Sequence, residues 1–361
     1  MRELAVKPTK VIEIDPSSPK TEYILEAARV IKEGGLVIFP TETVYGLGAD
    51  ALNSLAVRKI FYVKNRPLDN PLIVHISNLD QLEILSSDLS EDVCRLAEKF
   101  WPGPLTVIIR KSEKVPDEVS AGLETIAVRM PAHPVALKLI ELSETPIAAP
   151  SANPAGRPSP TSGEHVKRDM MGKVDVIIDS GETLFGVEST IIDMTRNLPV
   201  LLRPGALPVE EVQKMLNKEI IIPESARGLV EASEAIAPGM KYRHYAPSKP
   251  LHVVETRDYG NLERYSLEVF KHVKGLIDKG VKVVLLSTVE TTQYYRGVKT
   301  LNLGSRKNLF EVARNLYKLL REIDELDIDI AVSEGFEEKG LGLTIMNRLR
   351  KASGYNIITI N

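Results

Sequence analysis

Four basic side chains stand beside apolar segments, where a charge has few obvious partners. Lys64 and Arg66 lie two residues apart at the start of KNRPLDNPLIVHI, Arg129 follows TIAV, and Arg203 follows VLL. A cation beside a buried strand is costly unless an acid or an anionic ligand pairs with it. Arginine suits bidentate contact with phosphate or carboxylate, and lysine acts as a point charge. A solvated pair of charges also explains Lys64 and Arg66, and a structural salt bridge also explains Arg129, but the four cations together indicate an anion-rich ligand.

The segment FPTETVYGLG, residues 39–48, places hydroxyl groups directly after an apolar strand. Pro40 fixes the start of a turn in which Thr41 and Thr43 offer hydroxyls and amides, and the glycines permit close approach of a ligand. A strand-exit turn with satisfied threonines explains the segment equally well. His75, at the end of LIVHI, could point into the same cleft, although a core histidine is the simpler interpretation for that residue in isolation.

Two further polar segments follow apolar strands. In PIAAPSANPAGRPSP, Ser151, Asn153 and Gly156 form a loop able to present amides and hydroxyls to phosphates or to a purine edge. Ser151 is not part of a GxSxG elbow, so a nucleophilic role is disfavoured, and a proline-rich surface loop is the alternative. In FGVESTIID, Ser189 and Thr190 begin another strand. Open α/β sheets bind ligands on such rigid loops at strand ends.

The common nucleotide and metal motifs are missing from the sequence. It has no GxxxxGK[ST], and GLGAD (46–50) and GLGLT (340–344) lack the last glycine of GxGxxG, so tight packing is the better interpretation of both. It has no HExxH or CxxC, and its six histidines show no zinc-ligand spacing, so we expect no metal held by side chains. The single cysteine, Cys94, is predicted on the buried stripe of a helix and is interpreted as a structural thiol.

Length and charge set the outer limits. A chain of 361 residues exceeds what one hydrophobic core usually supports, which predicts two domains. The net charge of −3 gives no global electrostatic footprint for nucleic acid, although a local basic patch is compatible with it. No apolar run approaches membrane-spanning length and no leader is recognised at the N-terminus, so we expect a cytoplasmic protein.

The elements that must position these residues fall into two regions. In the first, several predicted strands are adjacent without an intervening helix, which favours a mixed sheet. Beyond residue 250, strands and helices alternate, which is typical of a parallel sheet with helices on its faces. Helices are predicted at 20–33, 54–64, 90–100, 208–217, 262–279, 307–323 and 341–352.

Residues 223–250 separate the two regions and differ from both. The stretch has three prolines near its C-terminal end and no sustained hydrophobic period, which predicts a linker. The pentapeptide KYRHY inside it is too aromatic and too basic for an idle spacer.

Taken in order, these segments resemble the threonylcarbamoyl-AMP synthases of the long, two-domain Sua5 type in the YrdC/Sua5 family. The resemblance covers nearly the whole chain and implies an α/β fold with three parts. These are a YrdC-like mixed twisted sheet with a basic cleft (1–222), a linker folding over the active site (223–250) and a smaller Rossmann-like parallel Sua5 domain (251–361). The matching segments are FPTETVYGLG, KNRPLDNPLIVHI, WPGPLTVII, TIAVRMPAHP, PIAAPSANPAGRPSPT, VESTIID, LLRPGAL and APGMKYRHYAP.

The resemblance also implies a reaction. Enzymes of this family are nucleotidyltransferases that join L-threonine, bicarbonate (or CO₂) and ATP, with Mg²⁺ carried on the nucleotide and no organic cofactor. The products are threonylcarbamoyl-AMP, pyrophosphate and water. A separate transferase complex then uses the adenylate to make t6A at position 37 of tRNAs that read ANN codons. Direct contact with tRNA is compatible with this chemistry but is not required by it, and no membrane is involved.

The family's site residues carry over to positions in this sequence. Lys64 and Arg66 would be catalytic, by stabilising the charge of the carbamate and the phosphates. The L-threonine site would comprise Thr43, His75, Arg129, the backbone at Ala149, and Ser189. The ATP site would comprise Arg66, Asn70, Thr125, Ser151, Asn153, Ser159, Arg203 and, from the linker, Tyr245. The resemblance thus makes the linker a lid that excludes water from a hydrolysable mixed anhydride.

Two other classes of function compete with this interpretation. YrdC-like clefts are basic, so the chain could be an RNA-binding module without catalysis, and the net charge of −3 speaks against that. A carbamoyltransferase using carbamoyl phosphate is the second alternative. The lack of acylphosphatase or zinc-finger segments in this sequence disfavours it.

Overall fold

The computed structural model describes residues 8–86, 88–232, 235–240 and 245–360, which divide into two compact units. The first unit takes in residues 1–155, 159–223 and 232–241, and the second takes in 156–158, 224–231 and 242–361. Within the described ranges, every helix is too short or too polar to cross a membrane.

The first unit is built on one large mixed sheet. Its strands run in the order β1-β8-β2-β3-β7-β4-β6-β5-β9-β10, and parallel and antiparallel neighbours occur side by side. This arrangement confirms the mixed sheet that the adjacent strand patterns predict. The strands are β1 (Lys10–Glu13), β2 (Val37–Phe39), β3 (Gly46–Asp50), β4 (Ile73–His75), β5 (Leu105–Arg110), β6 (Thr125–Arg129), β7 (Ile147–Ala148), β8 (Val176–Asp179), β9 (Thr190–Asp193) and β10 (Val200–Arg203).

Helices of the first unit pack their apolar stripes onto this sheet. The first of them buries Ile24, Ala27, Ala28 and Ile31, at the spacing that predicts it. The helices are α1 (Thr21–Lys32), α2 (Ser54–Lys64), α3 (Asp80–Leu85), α4 (Glu91–Phe100), α5 (Asp117–Ser120), α6 (Pro134–Ser143), α7 (Gly163–Met170) and α8 (Val209–Leu216).

The predicted burial of Cys94 is wrong. Helix α4 begins where expected, because the Ser90 hydroxyl accepts a hydrogen bond from the amide of Val93 at 3.4 Å. Its buried stripe consists of Val93, Leu96 and Ala97, which follow the spacing i, i+3, i+4. Cys94 lies one position further around the helix and is exposed.

The tight-packing interpretation of the two GxG segments is confirmed. GLGAD forms strand β3, where a Cβ on Gly48 would lie 2.7 Å from Phe39 Cε1 and 2.8 Å from Ile147 Cγ2. In GLGLT, a Cβ on Gly342 would lie 1.9 Å from the carbonyl oxygen of Glu337. Both glycines are therefore required by close packing.

The second unit contains a five-stranded parallel sheet, as the alternating pattern predicts. The order of its strands is β13-β12-β14-β11-β15, and every pair of neighbours is parallel. The strands are β11 (Leu251–Thr256), β12 (Val283–Ser287), β13 (Lys299–Asn302), β14 (Ile330–Glu334) and β15 (Ile357–Ile360), and the helices are α9 (Glu224–Arg227), α10 (Leu262–Ile277), α11 (Leu309–Glu322) and α12 (Leu341–Ala352), with short 3₁₀ turns at Thr292–Tyr294 and Ile323–Glu325.

Part of the predicted linker belongs to the core of the first unit. Ala237 and Met240 are buried in one apolar cluster with Ile73, Ile108 and neighbouring strand residues. Residues 241–244, which contain KYRH of the pentapeptide KYRHY, lie outside the described residues.

Candidate active site

The turn between β2 and β3 is fixed by its first threonine. The Thr41 hydroxyl donates to the carbonyl of Val44 at 2.6 Å and accepts from the amides of Thr43 and Val44 at 3.2 Å each. Because its single proton goes to Val44, the 2.8 Å contact with the Thr43 hydroxyl has Thr43 as donor. Thr41 thus fits the interpretation of a satisfied turn residue, and Thr43 keeps only acceptor capacity for other partners.

Arg129, at the end of β6, lies against this turn. Its guanidinium donates from Nη1 to the Thr43 hydroxyl at 2.9 Å, from Nη2 to Glu42 Oε1 at 2.6 Å, and from Nε to the Gly103 carbonyl at 3.2 Å. The described residues use three of its five N–H groups in this way, so two are left for a ligand. The side chains of Arg129 and Glu42 are 4% and 6% exposed, so the pair is buried.

Glu42 is the site residue that the sequence reasoning missed. The sequence signal is an acid inside PTET, a turn flanked by apolar residues, in a chain that also holds an isolated arginine. Its Oε2 atom is buried and has no hydrogen-bond partner among the described residues. Leaving such an atom unsatisfied costs about 1–3 kcal/mol for a neutral group and more for a charged one.

His75 is the neighbour of Arg129 across parallel strands β4 and β6. Burial, and secondarily the positive charge of Arg129, lowers the pKa of His75 to about 3. The ring meets Phe39 edge-on with centroids 6.0 Å apart, and its Nδ1 has no hydrogen-bond partner within the described residues. His75 is therefore a neutral imidazole that is buried, as the core interpretation predicts, and that lies beside the Arg129 guanidinium.

Lys64 joins two of the predicted segments. Its ammonium donates to the carbonyl of Ser151 at 2.5 Å and to that of Asn153, and the Lys64 carbonyl accepts from the amide of Ala155 at 3.0 Å. Lys64 is 2% exposed. Burial, followed by the nearby charge of Arg66, holds the pKa of Lys64 well below its usual value. An anion brought close to this ammonium would favour its charged form.

Arg66 folds around its own loop. The guanidinium donates to the Asn70 side chain at 2.6 Å, to the Asn70 carbonyl at 3.1 Å and to the Pro71 carbonyl at 2.9 Å. Arg66 and Asn70, both predicted to bind ATP, are therefore brought together.

Ser189 and Arg203 form another contact in the first unit. Arg203 donates to the Ser189 carbonyl at 2.9 Å and to its hydroxyl at 3.3 Å, and that hydroxyl lies 2.7 Å from the hydroxyl of Thr106. Arg203 also donates to the carbonyl of Pro238 at 3.0 Å. The Arg203 side chain is held by backbone oxygens, as Lys64 is.

The remaining predicted residues make other contacts. Thr125 begins β6 and Arg129 ends it, so about 13 Å of strand separates them. The Ser159 hydroxyl donates to Glu188 Oε1 at 2.6 Å, and the amide of Ala149 is used by the sheet in a 2.9 Å bond to the Ile73 carbonyl.

Tyr245 belongs to the second unit. It has a positive φ of 64°, its ring stacks on Tyr317 at 5.3 Å, and the Arg348 guanidinium lies 4.8 Å from the ring centroid. Its role in binding ATP stays a prediction.

No group of three or more His, Cys, Asp or Glu side chains in the described ranges is arranged to hold a metal ion. The oxygen atoms among the predicted ATP residues and their contacts belong to hydroxyls, side-chain amides, main-chain carbonyls and the Glu188 carboxylate, with Lys64, Arg66 and Arg203 on neighbouring segments. Such a donor set fits Mg²⁺ that arrives with phosphate oxygens around it.

Comparisons with known proteins cover both units. Residues 29–205 match a family model of Sua5, YciO and YrdC proteins described as telomere recombination. Residues 207–354 match a model described as the C-terminal domain of threonylcarbamoyl-AMP synthase.

Individual relatives match over almost the whole length. The threonylcarbamoyl-AMP synthase of Pyrococcus abyssi is 52% identical over 334 residues, covering 92% of this chain and 95% of its own. That of Bacillus subtilis is 44% identical, covering 95% and 96%. A crystal structure of P. abyssi Sua5 complexed with L-threonine has a TM-score of 0.91 and 50% identity, covering 98% of this chain and 100% of that one.

Proposed function

Because this chain belongs to the threonylcarbamoyl-AMP synthase family, we propose that it makes threonylcarbamoyl-AMP from L-threonine, bicarbonate (or CO₂) and ATP, with release of pyrophosphate and water. The protein is an enzyme that uses ATP, and the reaction makes it a nucleotidyltransferase. The relatives' names favour catalysis over an RNA-binding module. The observation that carries the proposal is the buried group formed by Thr43, Arg129 and His75, in a fold shared with a relative crystallised with L-threonine.

The threonine end of the reaction is assigned to that group. Arg129 has two N–H groups left, one on each terminal nitrogen, and guanidinium N–H groups form strong hydrogen bonds to a carboxylate such as that of the amino acid. Thr43 can accept one more hydrogen bond from the substrate. His75 is neutral and adds no competing charge. Ser189 and the backbone at Ala149 complete the proposed threonine site.

The ATP end is assigned to the cations of the KNR segment and their contacts. The carbamate formed on threonine must attack the α-phosphorus of ATP, so two anions have to approach each other. Lys64 is buried against the carbonyls of Ser151 and Asn153, and an anion bound close to it would favour its charged form. Arg66 and Arg203 supply further positive charge. Because no covalent enzyme intermediate is needed, catalysis consists of positioning and charge stabilisation.

Mg²⁺ is proposed to enter on the nucleotide. It would be held mainly by phosphate oxygens rather than by side chains. When bound, the ion supplies neutralisation of phosphate charge. The protein's cations orient the same phosphates from the other segments.

The wider setting follows from the product. We infer that the adenylate passes to a tRNA threonylcarbamoyl-transferase complex that makes t6A37 in ANN-decoding tRNAs, that tRNA contact is not required for the first step, and that the reaction takes place in the cytoplasm. The proposed boundaries are 1–222 for the catalytic domain, 223–250 for a linker that covers the site with Tyr245, and 251–361 for the C-terminal domain.

Release of pyrophosphate tests the proposal directly. The full chain is incubated with ATP, Mg²⁺ and bicarbonate, without tRNA, and pyrophosphate is followed with and without L-threonine. We expect release only when threonine is present, and an adenylate product in equal amount. Pyrophosphate release that needs tRNA, or none under any of these conditions, would contradict the proposal.

A further inference from the structure

The feature that remains unexplained is the carboxylate of Glu42. Oε1 accepts from Arg129 Nη2 at 2.6 Å, and the Glu42 carbonyl accepts from the amide of Phe185 at 2.8 Å, so both the side chain and its backbone are held in place. Oε2 is buried and has no partner within the described residues. Burying a charged acceptor without a partner leaves the free-energy cost of its desolvation uncompensated. A hydrogen-bond donor on a bound ligand would offset that cost.

The donors and acceptors around Glu42 define the ligand that fits. Arg129 offers two N–H groups, which suit a carboxylate. Glu42 Oε2 and the remaining lone pair of Thr43 are acceptors, so they require a donor on the same ligand. A simple anion such as phosphate or bicarbonate would satisfy Arg129 but would be repelled by Glu42. An α-amino acid zwitterion carries a carboxylate and an ammonium on one carbon and satisfies both.

We propose that Glu42 is a specificity-determining residue of the threonine site, whose Oε2 accepts a hydrogen bond from the α-ammonium of the substrate. The inference rests on the proposed function, and it adds the side of the pocket that recognises nitrogen. It makes the Arg129–Glu42 ion pair a two-charge receptor for a zwitterion. It also explains why Glu42 lies beside Arg129, although Arg129 is needed to bind the carboxylate of the substrate.

The test removes the charge of Glu42 while keeping its shape. In the Glu42→Gln variant, the side-chain oxygen can still accept from Arg129, but the charged acceptor for the ammonium is lost. We expect the KM for threonine to rise by roughly tenfold to a hundredfold, while the KM for ATP stays within about twofold. The matched control is Glu26→Gln, which removes the charge from an exposed ion pair with Lys10 and is expected to leave both constants unchanged. A threonine KM within about twofold of wild type, or equal rises in both constants, would overturn the proposal.

A second measurement removes the ammonium from the ligand instead. 2,3-Dihydroxybutanoate is threonine with a hydroxyl in place of the amine, and its dissociation constant, measured by calorimetry, is compared with that of threonine. We expect the wild type to prefer threonine by about tenfold or more, and Glu42→Gln to lose most of that preference. If the variant does not fold, the wild-type comparison still decides, since equal binding of the two ligands refutes the proposal.

The two proposals fail in different ways. Calorimetric binding of threonine to the wild type, without ATP, reports on the pocket alone. Selective binding of threonine without pyrophosphate release would sink the proposed function and leave the role of Glu42 standing. Pyrophosphate release with equal recognition of the dihydroxy acid would do the reverse.

Discussion

Arg129 has two tasks at the scale of the residue, because it neutralises Glu42 and has N–H groups left for a ligand. Arg129→Lys keeps a positive charge for Glu42 but loses the planar fork that a carboxylate needs. We therefore expect a folded protein whose threonine KM is raised by about tenfold or more. Steady-state kinetics with threonine and ATP varied separately measure this effect.

The comparison variant is Arg129→Ala, which leaves the Glu42 carboxylate buried without a counter-charge. Its expected cost is about 3–5 kcal/mol of unfolding free energy, measured by urea unfolding. An unchanged threonine KM in Arg129→Lys would remove Arg129 from the threonine site. Equal stability of the two variants would show that the charge of Arg129 is not what compensates Glu42.

His75 predicts a pH dependence of stability. Its folded pKa of about 3 lies below the ordinary histidine value, so between these two values the unfolded chain binds more protons than the folded one. Stability is therefore complete above about pH 6.5 and is lost as the pH falls towards 3, with a slope of at most about 1.4 kcal/mol per pH unit from this group. His133, whose pKa is lowered to about 4 mainly by burial, adds a loss of the same sign.

The His75→Asn variant tests this dependence. Unfolding free energies from urea titrations between pH 4.5 and 7.5 should fall less steeply with acid in the variant than in the wild type. The variant retains His133, so some slope should remain. Identical slopes in both proteins would show that His75 is not held neutral by burial.

At the scale of elements, long periodic segments are those that the sequence predicts well. Helix α11 is predicted at 307–323 and is observed at Leu309–Glu322, because its buried residues recur at helical spacing, as in Val312, Leu316 and Leu320. Helix α6 is not predicted, although His133 caps its first turn and Pro134 opens it, because its ten residues are too few to show a sustained period. Strand β3 is not predicted either, because GLGAD has two glycines in five residues. Packing under Phe39 makes it a strand, and such packing is not visible in local sequence.

The candidate site shows the same limit. Four cations can be picked out because charges beside apolar runs are conspicuous, and all four prove to donate to backbone carbonyls. Only tertiary structure shows that Arg129 is paired with Glu42, since 87 residues separate them along the chain.

Strand β3 provides a test at this scale. In Gly48→Ala, the new Cβ would lie 2.7 Å from Phe39 and 2.8 Å from Ile147, so the centre of the sheet must shift. Overpacking of this kind costs about 1–3 kcal/mol. The only tryptophan, Trp101, lies in the first unit, so its fluorescence during urea unfolding reports the loss.

The matched control is Gly275→Ala in helix α10, where nothing lies within 4 Å of the new Cβ. That substitution is expected to leave the Trp101 transition unchanged and to favour its helix by about 0.5–1 kcal/mol. A Gly48→Ala transition that matches the wild type would refute the packing account of the GLGAD segment.

At the scale of the whole molecule, the chain changes unit more than once between 223 and 250. Residues 224–231 group with the second unit, and residues 232–241 group with the first. The sequence shows no period in this stretch because Ala237 and Met240 are buried singly, outside any helix or strand. The lack of periodicity predicts a linker, but Ala237 and Met240 in this stretch belong to the core of the first unit. A cut after residue 222 would therefore remove buried residues of the first unit as well as the proposed lid.

Met240 tests this reassignment in the full chain. It is 7% exposed and belongs to the apolar cluster that includes Ile73, Ile108 and Leu202. Met240→Ala should lower the unfolding free energy of the first unit by about 2–5 kcal/mol, read from Trp101 fluorescence. Val230→Ala is the control from the same stretch, since Val230 is 45% exposed and its truncation should cost no more than about 0.5 kcal/mol. Equal effects of the two substitutions would mean that residues 235–240 only lie on the surface. If only Met240→Ala lowers the unfolding free energy, then activity lost on truncation at residue 222 reflects a damaged core. The proposed lid then has to be tested by substitutions that leave Met240 in place.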